Sequence, residues 1–326
     1  MKAYEIIENI LPKKTIDISR KSATAFAPIN IALCKYWGKR NSELNLPVND
    51  SLSIAIKNYG TTTTVSLSKK DFDEIIFNGK ILKHDTQFYL RLKNFLALLK
   101  QKQNINFKII TKNNIPESAG LASSASGFAA LILALNKLFS WQLSKKELSI
   151  LARLGSGSAA RSLWNDFTIW HAGNRNDGMD SFAEPLNYNW RELKAGILIL
   201  SKHAKIISSK IAMQISVNSS PFYKLWPEVA KSDIKKITSA IENKNFQLFG
   251  ETVEANALTM HAIIQTGNPA IIYSSTQTIT VIKKIWQLRK DGIEIYFTQD
   301  AGANLILFFL EKLQKKILTL FPNMKM

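Results

Sequence analysis

The stretch that most limits what this chain can fold into is Asn114-Ile115-Pro116-Glu117-Ser118-Ala119-Gly120-Leu121-Ala122-Ser123-Ser124-Ala125-Ser126-Gly127. It follows a strand-like run at 105–110. It leads into Phe128, Leu131, Ile132, Leu135, Leu138 and Phe139, an apolar set at helical spacing. A loop of small residues and hydroxyls therefore opens a long buried helix. Small residues let a ligand approach the backbone. The first N–H groups of a helix lack intrahelical partners and favour an anion. Ser123, Ser124 and Ser126 add hydroxyl donors, and a hydroxyl such as that of Ser124 is also a ligand for Mg²⁺. The same residues equally suit a Ser-rich helix cap that binds nothing. The loop is neither a Walker P-loop nor a dinucleotide fingerprint, because G-K-[ST] and G-x-G-x-x-G are both missing.

A chain of 326 residues that is 46% hydrophobic can bury a sizeable core in one large or two modest domains. It holds no apolar run long enough to span a bilayer, and its first residues interleave Glu8, Lys13, Lys14 and Asp17 with apolar ones. Neither a membrane span nor a secretion signal is expected. The single cysteine, Cys34, suits a reducing cytoplasm, and four scattered histidines form no zinc pattern. The net charge of +18 suits nucleic acid, an anionic surface or small anionic substrates. The lysines are spread in short pairs along the chain, such as Lys145-Lys146 and Lys283-Lys284, without a nucleic-acid-binding signature. No nucleic-acid or membrane partner is expected.

Residues 1–20 read as an extra helix or arm. Residues 22–26 read as a strand ending at Ala27-Pro28. The segment from Asn30 to Arg40 follows, in which Asn30, Lys35, Tyr36, Lys39 and Arg40 offer donors to an anion. Residues 51–57 and 61–67 read as two strands of a hairpin turning at Asn58-Tyr59-Gly60. Asp85-Thr86 starts a helix, and Ser144 with Glu147 forms a capping box. Gly155-Ser156-Gly157-Ser158-Ala159-Ala160-Arg161-Ser162 is a second small-residue entry, with Arg161 able to fork onto a phosphate or carboxylate. Two such entries and a basic segment suit a ligand with several phosphates. Beyond a domain boundary near 188–194, helices are expected at 206–215, 246–262 and 274–289. A strand at 293–298 then delivers Asp300 to a turn with Ala301-Gly302 behind it. That placement suits a carboxylate touching a substrate, and it equally suits an Asp capping its own turn.

Taken together, these segments resemble the mevalonate diphosphate decarboxylases of the GHMP kinase superfamily. The matching residues are Asn30-Ile31-Ala32-Leu33 with Lys35-Tyr36-Trp37-Gly38-Lys39-Arg40, Leu46-Pro47 with Asn49-Asp50-Ser51, and Ala119 to Gly127. They continue with Gly155-Ser156-Gly157-Ser158-Ala159 and Arg161-Ser162, Asp177-Gly178 with Asp180-Ser181, and Asp300-Ala301-Gly302 with Asn304. The resemblance implies an α+β, two-domain GHMP kinase fold. Its N-terminal half would be like ribosomal protein S5 domain 2 and its C-terminal half ferredoxin-like. The expected limits are an extension at 1–21 and domains at 22–190 and 191–326. It implies ATP and Mg²⁺, a small phosphorylated substrate, a homodimer, and decarboxylation of mevalonate 5-diphosphate to isopentenyl diphosphate. A related kinase, or a decarboxylase of another mevalonate phosphate, is the alternative.

By position, the resemblance makes Asp300 and Lys35 catalytic. Asn30, Tyr36, Ser156, Ser158, Arg161 and Ser209 would contact substrate. Gly120, Leu121, Ala122, Ser123, Ser124 and Ser126 would cradle the ATP phosphates, with Ser124 on the metal. The chain departs from the pattern at Ala303, where a proline is usual, and at Lys210 and Ala212.

Overall fold

The computed structural model describes residues 2–11, 20–100, 103–114, 123–201 and 207–326. After a short helix, α1 (Ala3–Ile10), come the long strand β1 (Ser22–Cys34), a small ribbon of β2 (Lys39–Asn41) and β3 (Leu46–Pro47), and β4 (Ser51–Leu67). β1 and β4 pair antiparallel along nearly their whole length. The expected hairpin at 51–67 is therefore wrong: β4 is one strand of 17 residues. β1 likewise runs on through Pro28 as a strand of 13 residues. The two features that look like turn signals are two halves of one bulge. Pro28 faces Gly60 but Ile29 faces Ile56, so residues 57–59 have no partner on β1. Proline has no N–H for the ladder, which makes this the point where pairing is most easily broken. Gly60 is there for space. A Cβ on it would fall 2.2 Å from the Ala27 carbonyl oxygen.

β5 (Glu74–Phe77), β6 (Lys80–Ile81), α2 (Gln87–Leu99) and β7 (Phe107–Asn113) follow. Next come α3 (Ser123–Leu138), α4 (Lys145–Gly155), β8 (Phe167–Trp170) and β9 (Ala183–Pro185). Residues 61–67 of β4 pair with β7, and residues 51–54 pair with β8. Among the described residues this gives a seven-stranded sheet in the order β6-β5-β7-β4-β8-β9, with β1 added along β4. Thr86 caps α2, its hydroxyl accepting from the Tyr89 N–H at 3.3 Å, and the Ser144–Glu147 capping box forms as expected. α3 is apolar all round and fully buried at Ala129, Ala130, Ile132, Ala134 and Leu135. α1 places Ile6, Ile7, Ile10 and Leu11 in the same core, against α2 and α4.

The second half contains β10 (Leu193–Leu198), α5 (Ser209–Ser219), α6 (Trp226–Glu242), α7 (Phe246–Gln265), α8 (Thr276–Lys290), β11 (Tyr296–Gln299), β12 (Leu305–Leu310), α9 (Gln314–Leu320) and β13 (Met324–Lys325). Its sheet runs in the order β11-β12-β10-β13. One core cluster ignores the boundary between the halves. Ile29, Ile31, Leu33 and Cys34 of β1, with Trp37, pack with Met213, Trp226, Ala230, Phe249, Val253 and Met260. No described helix is long and apolar enough to cross a membrane.

Ile7 is fully buried in this arrangement. Ile7→Ala should lower stability by about 2–5 kcal/mol in urea unfolding, the range for emptying a packed aliphatic site. A loss under about 0.5 kcal/mol, the level of an ordinary surface change, would mean that α1 does not dock.

Candidate active site

Lys35 follows the last residue of β1, and Asp300 sits in the turn between β11 and β12. The fold brings their side chains together, with Lys35 Nζ 2.7 Å from Asp300 Oδ1. Lys35 is 2% exposed and also donates to the Ala32 carbonyl at 2.8 Å, whereas Asp300 is 32% exposed. The ammonium is thus buried while the carboxylate is partly open to solvent. Burial pushes Lys35 below the usual lysine range, while the charge and hydrogen bond of Asp300 pull it back up. The Asp300 turn is pinned from several sides. Asn304 Oδ1 accepts from the Leu200 and Ser201 N–H groups at 2.7 and 2.9 Å. Gln299 donates to the Gly302 carbonyl at 2.7 Å, and Thr278 donates to that of Ala303 at 2.7 Å.

Arg161 ends a 3₁₀ turn, Gly157–Arg161, and is 4% exposed. Its Nε donates to Asn30 Oδ1 at 3.1 Å, and Nη1 donates to the Ser51 hydroxyl. Burial brings its pKa down to about 10, opposed by Asp300 and Tyr36. Asn30 Nδ2 donates to the Ser158 carbonyl at 3.1 Å and to Ser162 Oγ at 2.5 Å. The Asn30 amide is thereby committed to holding Arg161 and its turn. Tyr36 packs edge-on against Trp170 at 4.8 Å, and its buried hydroxyl has no hydrogen-bond partner among the described residues. A Cβ on Gly157 would lie 3.0 Å from that hydroxyl, so the glycine keeps the space in front of it open.

Ser156 is 6% exposed and its hydroxyl is 3.4 Å from that of Ser124, which joins the two small-residue entries. Ser158 and Ser209 are half-buried. Ser209 begins α5, which Ser208 caps through the Ile211 N–H at 3.3 Å. Gly120, Leu121 and Ala122 lie outside the described residues, as does the Ser123 side chain. Ser126 is corrected: it is 0% exposed and its hydroxyl bonds Thr61 Oγ1 at 2.7 Å. It lies on the face of α3 that packs against the sheet.

The sequence reading missed three residues near these groups. Arg91 of α2 donates to the Gly155 carbonyl at 2.8 Å. Its charge and that of Lys210 act with burial to bring Lys39 down to about 8, burial being the larger cause. Arg91 lies among the polar positions of an amphipathic helix, where nothing in the sequence sets it apart. Asn256 accepts the Lys35 N–H at 2.8 Å, and His261 Nε2 lies 3.2 Å from the Asp300 carbonyl oxygen. A signal for both was present: they interrupt the apolar stripe of α7, Val253, Ala257, Met260 and Ile264, at helical spacing.

A cavity of ≈ 380 Å³ opens at the start of α3, between Phe77, Phe88 and Phe128, with Thr61, Thr111, Asn113, Ser124 and Gly127. Aromatic walls with a few polar groups suit a nucleoside, and the helix start suits its phosphates. No group of three or more His, Cys, Asp or Glu among the described residues could hold a metal. Mg²⁺ fits only as an ion carried largely by phosphate oxygens, with a hydroxyl such as that of Ser124 in reach.

Residues 27–183 match the family model of the diphosphomevalonate decarboxylase-like N-terminal domain, and residues 195–325 that of the mevalonate 5-diphosphate decarboxylase C-terminal domain. A diphosphomevalonate decarboxylase of Aspergillus fumigatus is 38% identical over 321 residues, which cover 91% of this chain and 79% of that protein. The crystal structure of mevalonate diphosphate decarboxylase from Staphylococcus aureus matches with a TM-score of 0.86 at 33% identity, over 92% of this chain and 91% of that one. A second structure, MDDEF in complex with MVAPP, AMPPCP and magnesium, gives a TM-score of 0.86 at 38% identity over 91% of both chains. The expected mixed α/β GHMP kinase fold is therefore the observed one, and the chain belongs to the diphosphomevalonate decarboxylase family.

Proposed function

We propose that this protein is an ATP-dependent decarboxylase. It converts mevalonate 5-diphosphate and ATP to isopentenyl diphosphate, ADP, phosphate and CO₂. The observation that carries the reading is the Lys35–Asp300 pair, 2.7 Å apart, with the carboxylate 32% exposed and the ammonium buried. Asp300 accepts the proton of the C3 hydroxyl as that oxygen is phosphorylated. Lys35 holds Asp300 in place through their ion pair. Arg161 binds the substrate carboxylate, pre-set by Asn30 and Ser51. The unpartnered Tyr36 hydroxyl, with Ser156 and Ser158, meets the diphosphate together with Lys39 and Lys210. ATP, when bound with Mg²⁺, supplies the phosphoryl group that makes the C3 oxygen a leaving group. When phosphate departs from C3, the bond from C2 to the carboxylate breaks. Its electron pair becomes the C2–C3 double bond. The departing phosphate takes the proton back from Asp300, and the carboxylate so restored steadies the positive charge that develops at C3.

The aromatic cavity at the start of α3 receives the nucleoside, and Ser124 the phosphates and metal. The domain limit is placed at 190 and 191, within the segment that joins β9 to β10. The buried thiol of Cys34 suits a reducing cytoplasm, and a homodimer is the assembly that the family resemblance implies.

Purified protein with ATP, Mg²⁺ and mevalonate 5-diphosphate should release ADP and CO₂ in equal amounts. Asp300→Asn should lower kcat by about 10³-fold or more, within the span of a lost general base, with little change in KM. ADP without CO₂ would make the protein a kinase, and turnover of the 5-monophosphate alone would reassign the substrate.

Lys39 gives a pH test. Its pKa of about 8 lies below the usual lysine range, so in the free enzyme it loses its charge as pH rises through about 8. Anion binding favours the charged form, so KM for the diphosphate should climb above pH about 8. In Lys39→Met, KM should be higher throughout and that inflection should vanish. A wild-type KM flat from about pH 6.5 to 9.5, the span on either side of the expected titration, would remove Lys39 from the binding site.

A further inference from the structure

The reacting pair comes from opposite halves of the chain, and a single helix holds both members. Asn256 Oδ1 of α7 accepts the Lys35 N–H at 2.8 Å. Five residues on, His261 Nε2 lies 3.2 Å from the Asp300 carbonyl oxygen. A carbonyl oxygen only accepts, so Nε2 is the nitrogen that carries the proton. A step of five residues is about 7.5 Å along a helix axis, and helical backbone holds that spacing rigidly.

Asn256 is fixed in its turn by a second hydrogen bond, and His261 by burial. Asn256 is 0% exposed, and its Nδ2 donates to Asp233 Oδ2 of α6 at 2.8 Å. A carboxylate accepts only, so Asp233 turns the amide nitrogen toward itself and leaves Oδ1 for Lys35. The other face of the Lys35 peptide is gripped as well. Asn49 Nδ2 donates to the Lys35 carbonyl at 3.0 Å, and its Oδ1 accepts from Trp226 Nε1 at 3.0 Å. His261 is 3% exposed and stands edge-on to Tyr273 at 6.3 Å. Burial, and then the charge of Lys35, bring its pKa down to about 4, so it stays a neutral donor.

We infer that α7 is the ruler of the active site, with Asn256 and His261 as positioning residues that set Lys35 against Asp300. Neither touches the substrate. The inference rests on the reading of Lys35 and Asp300 as the reacting pair. Its consequence is a specific kinetic pattern. Displacement of a reacting group by about 1 Å can cost about 10²-fold in rate without weakening ground-state binding. Loss of either hydrogen bond should therefore fall on kcat.

The test compares His261→Phe, which keeps a ring but loses the donor, with His261→Gln, whose amide returns an N–H near the same point. Thermal unfolding is followed for each variant. His261→Phe should lower kcat by about tenfold or more, with KM for mevalonate 5-diphosphate within about twofold of wild type. His261→Gln should recover most of that loss. For Asn256→Leu the same split is expected, together with faster hydrogen exchange of the Lys35 amide. That exchange is read whether or not the protein turns over. Should Asn256→Leu not fold, the His261 pair decides alone. A folded His261→Phe with wild-type kcat, a glutamine no better than phenylalanine, or unchanged Lys35 exchange in a folded Asn256→Leu would overturn the inference. Absence of CO₂ release from the wild-type protein would instead sink the decarboxylase reading, and the exchange measurement would still judge the Asn256 contact.

Discussion

Everything at the cleft depends on an ammonium placed where water does not reach. Lys35 is 2% exposed, and a charge so buried is tolerable only with partners at close range. The Ala32 carbonyl supplies one and the Asp300 carboxylate the other. Lys35 follows a strand of one half and Asp300 follows a strand of the other. The pair therefore exists only while the two halves are packed together. The apolar cluster that runs from Ile31 and Leu33 of β1 to Trp226 and Phe249 of α6 and α7 does that packing. The geometry of the Lys35–Asp300 pair and the inter-half core are thus one structural problem with one solution.

Positive charge is buried at more than one place. Lys35, Arg153 and Arg161 are exposed by 2%, 0% and 4%. Arg153 donates to the carbonyls of Gly178 and Ser181 at 2.7 Å each and is offset by the charges of Asp180 and Asp177. Lys210 and Arg91 both repel Lys39. A group of cations such as this last one favours a ligand that brings several negative charges. The +18 of the whole chain is a separate matter, since most of it lies in lysines dispersed along the sequence.

Much of this was legible in the sequence, for identifiable reasons. Segments such as Lys35 to Arg40, Gly155 to Ser162 and Asp300 to Asn304 carry chemistry at chain reversals, where side-chain identity is constrained locally. Helices announced themselves by periodicity and caps, as at Thr86 and Ser144. The failures share a cause, which is that the deciding partner is remote. Pro28 and Gly60 have the local character of turns, and only their apposition across two strands makes them a bulge. Ser126 read as a donor to a ligand until Thr61 appeared on the sheet behind it. Asn256 interrupts an apolar stripe to reach a backbone 221 residues away in sequence.

The bulge at 57–59 also bears on how such a chain can drift in length. β4 carries two registers, one with β8 at residues 51–54 and one with β7 at 61–67, and β1 spans both. An added or lost residue within either paired segment would turn every following side chain to the opposite face of the sheet. In the three unpaired positions it would only enlarge or tighten the loop-out, leaving both registers intact. The bulge is an expansion joint, and insertions and deletions among relatives of this strand should collect there.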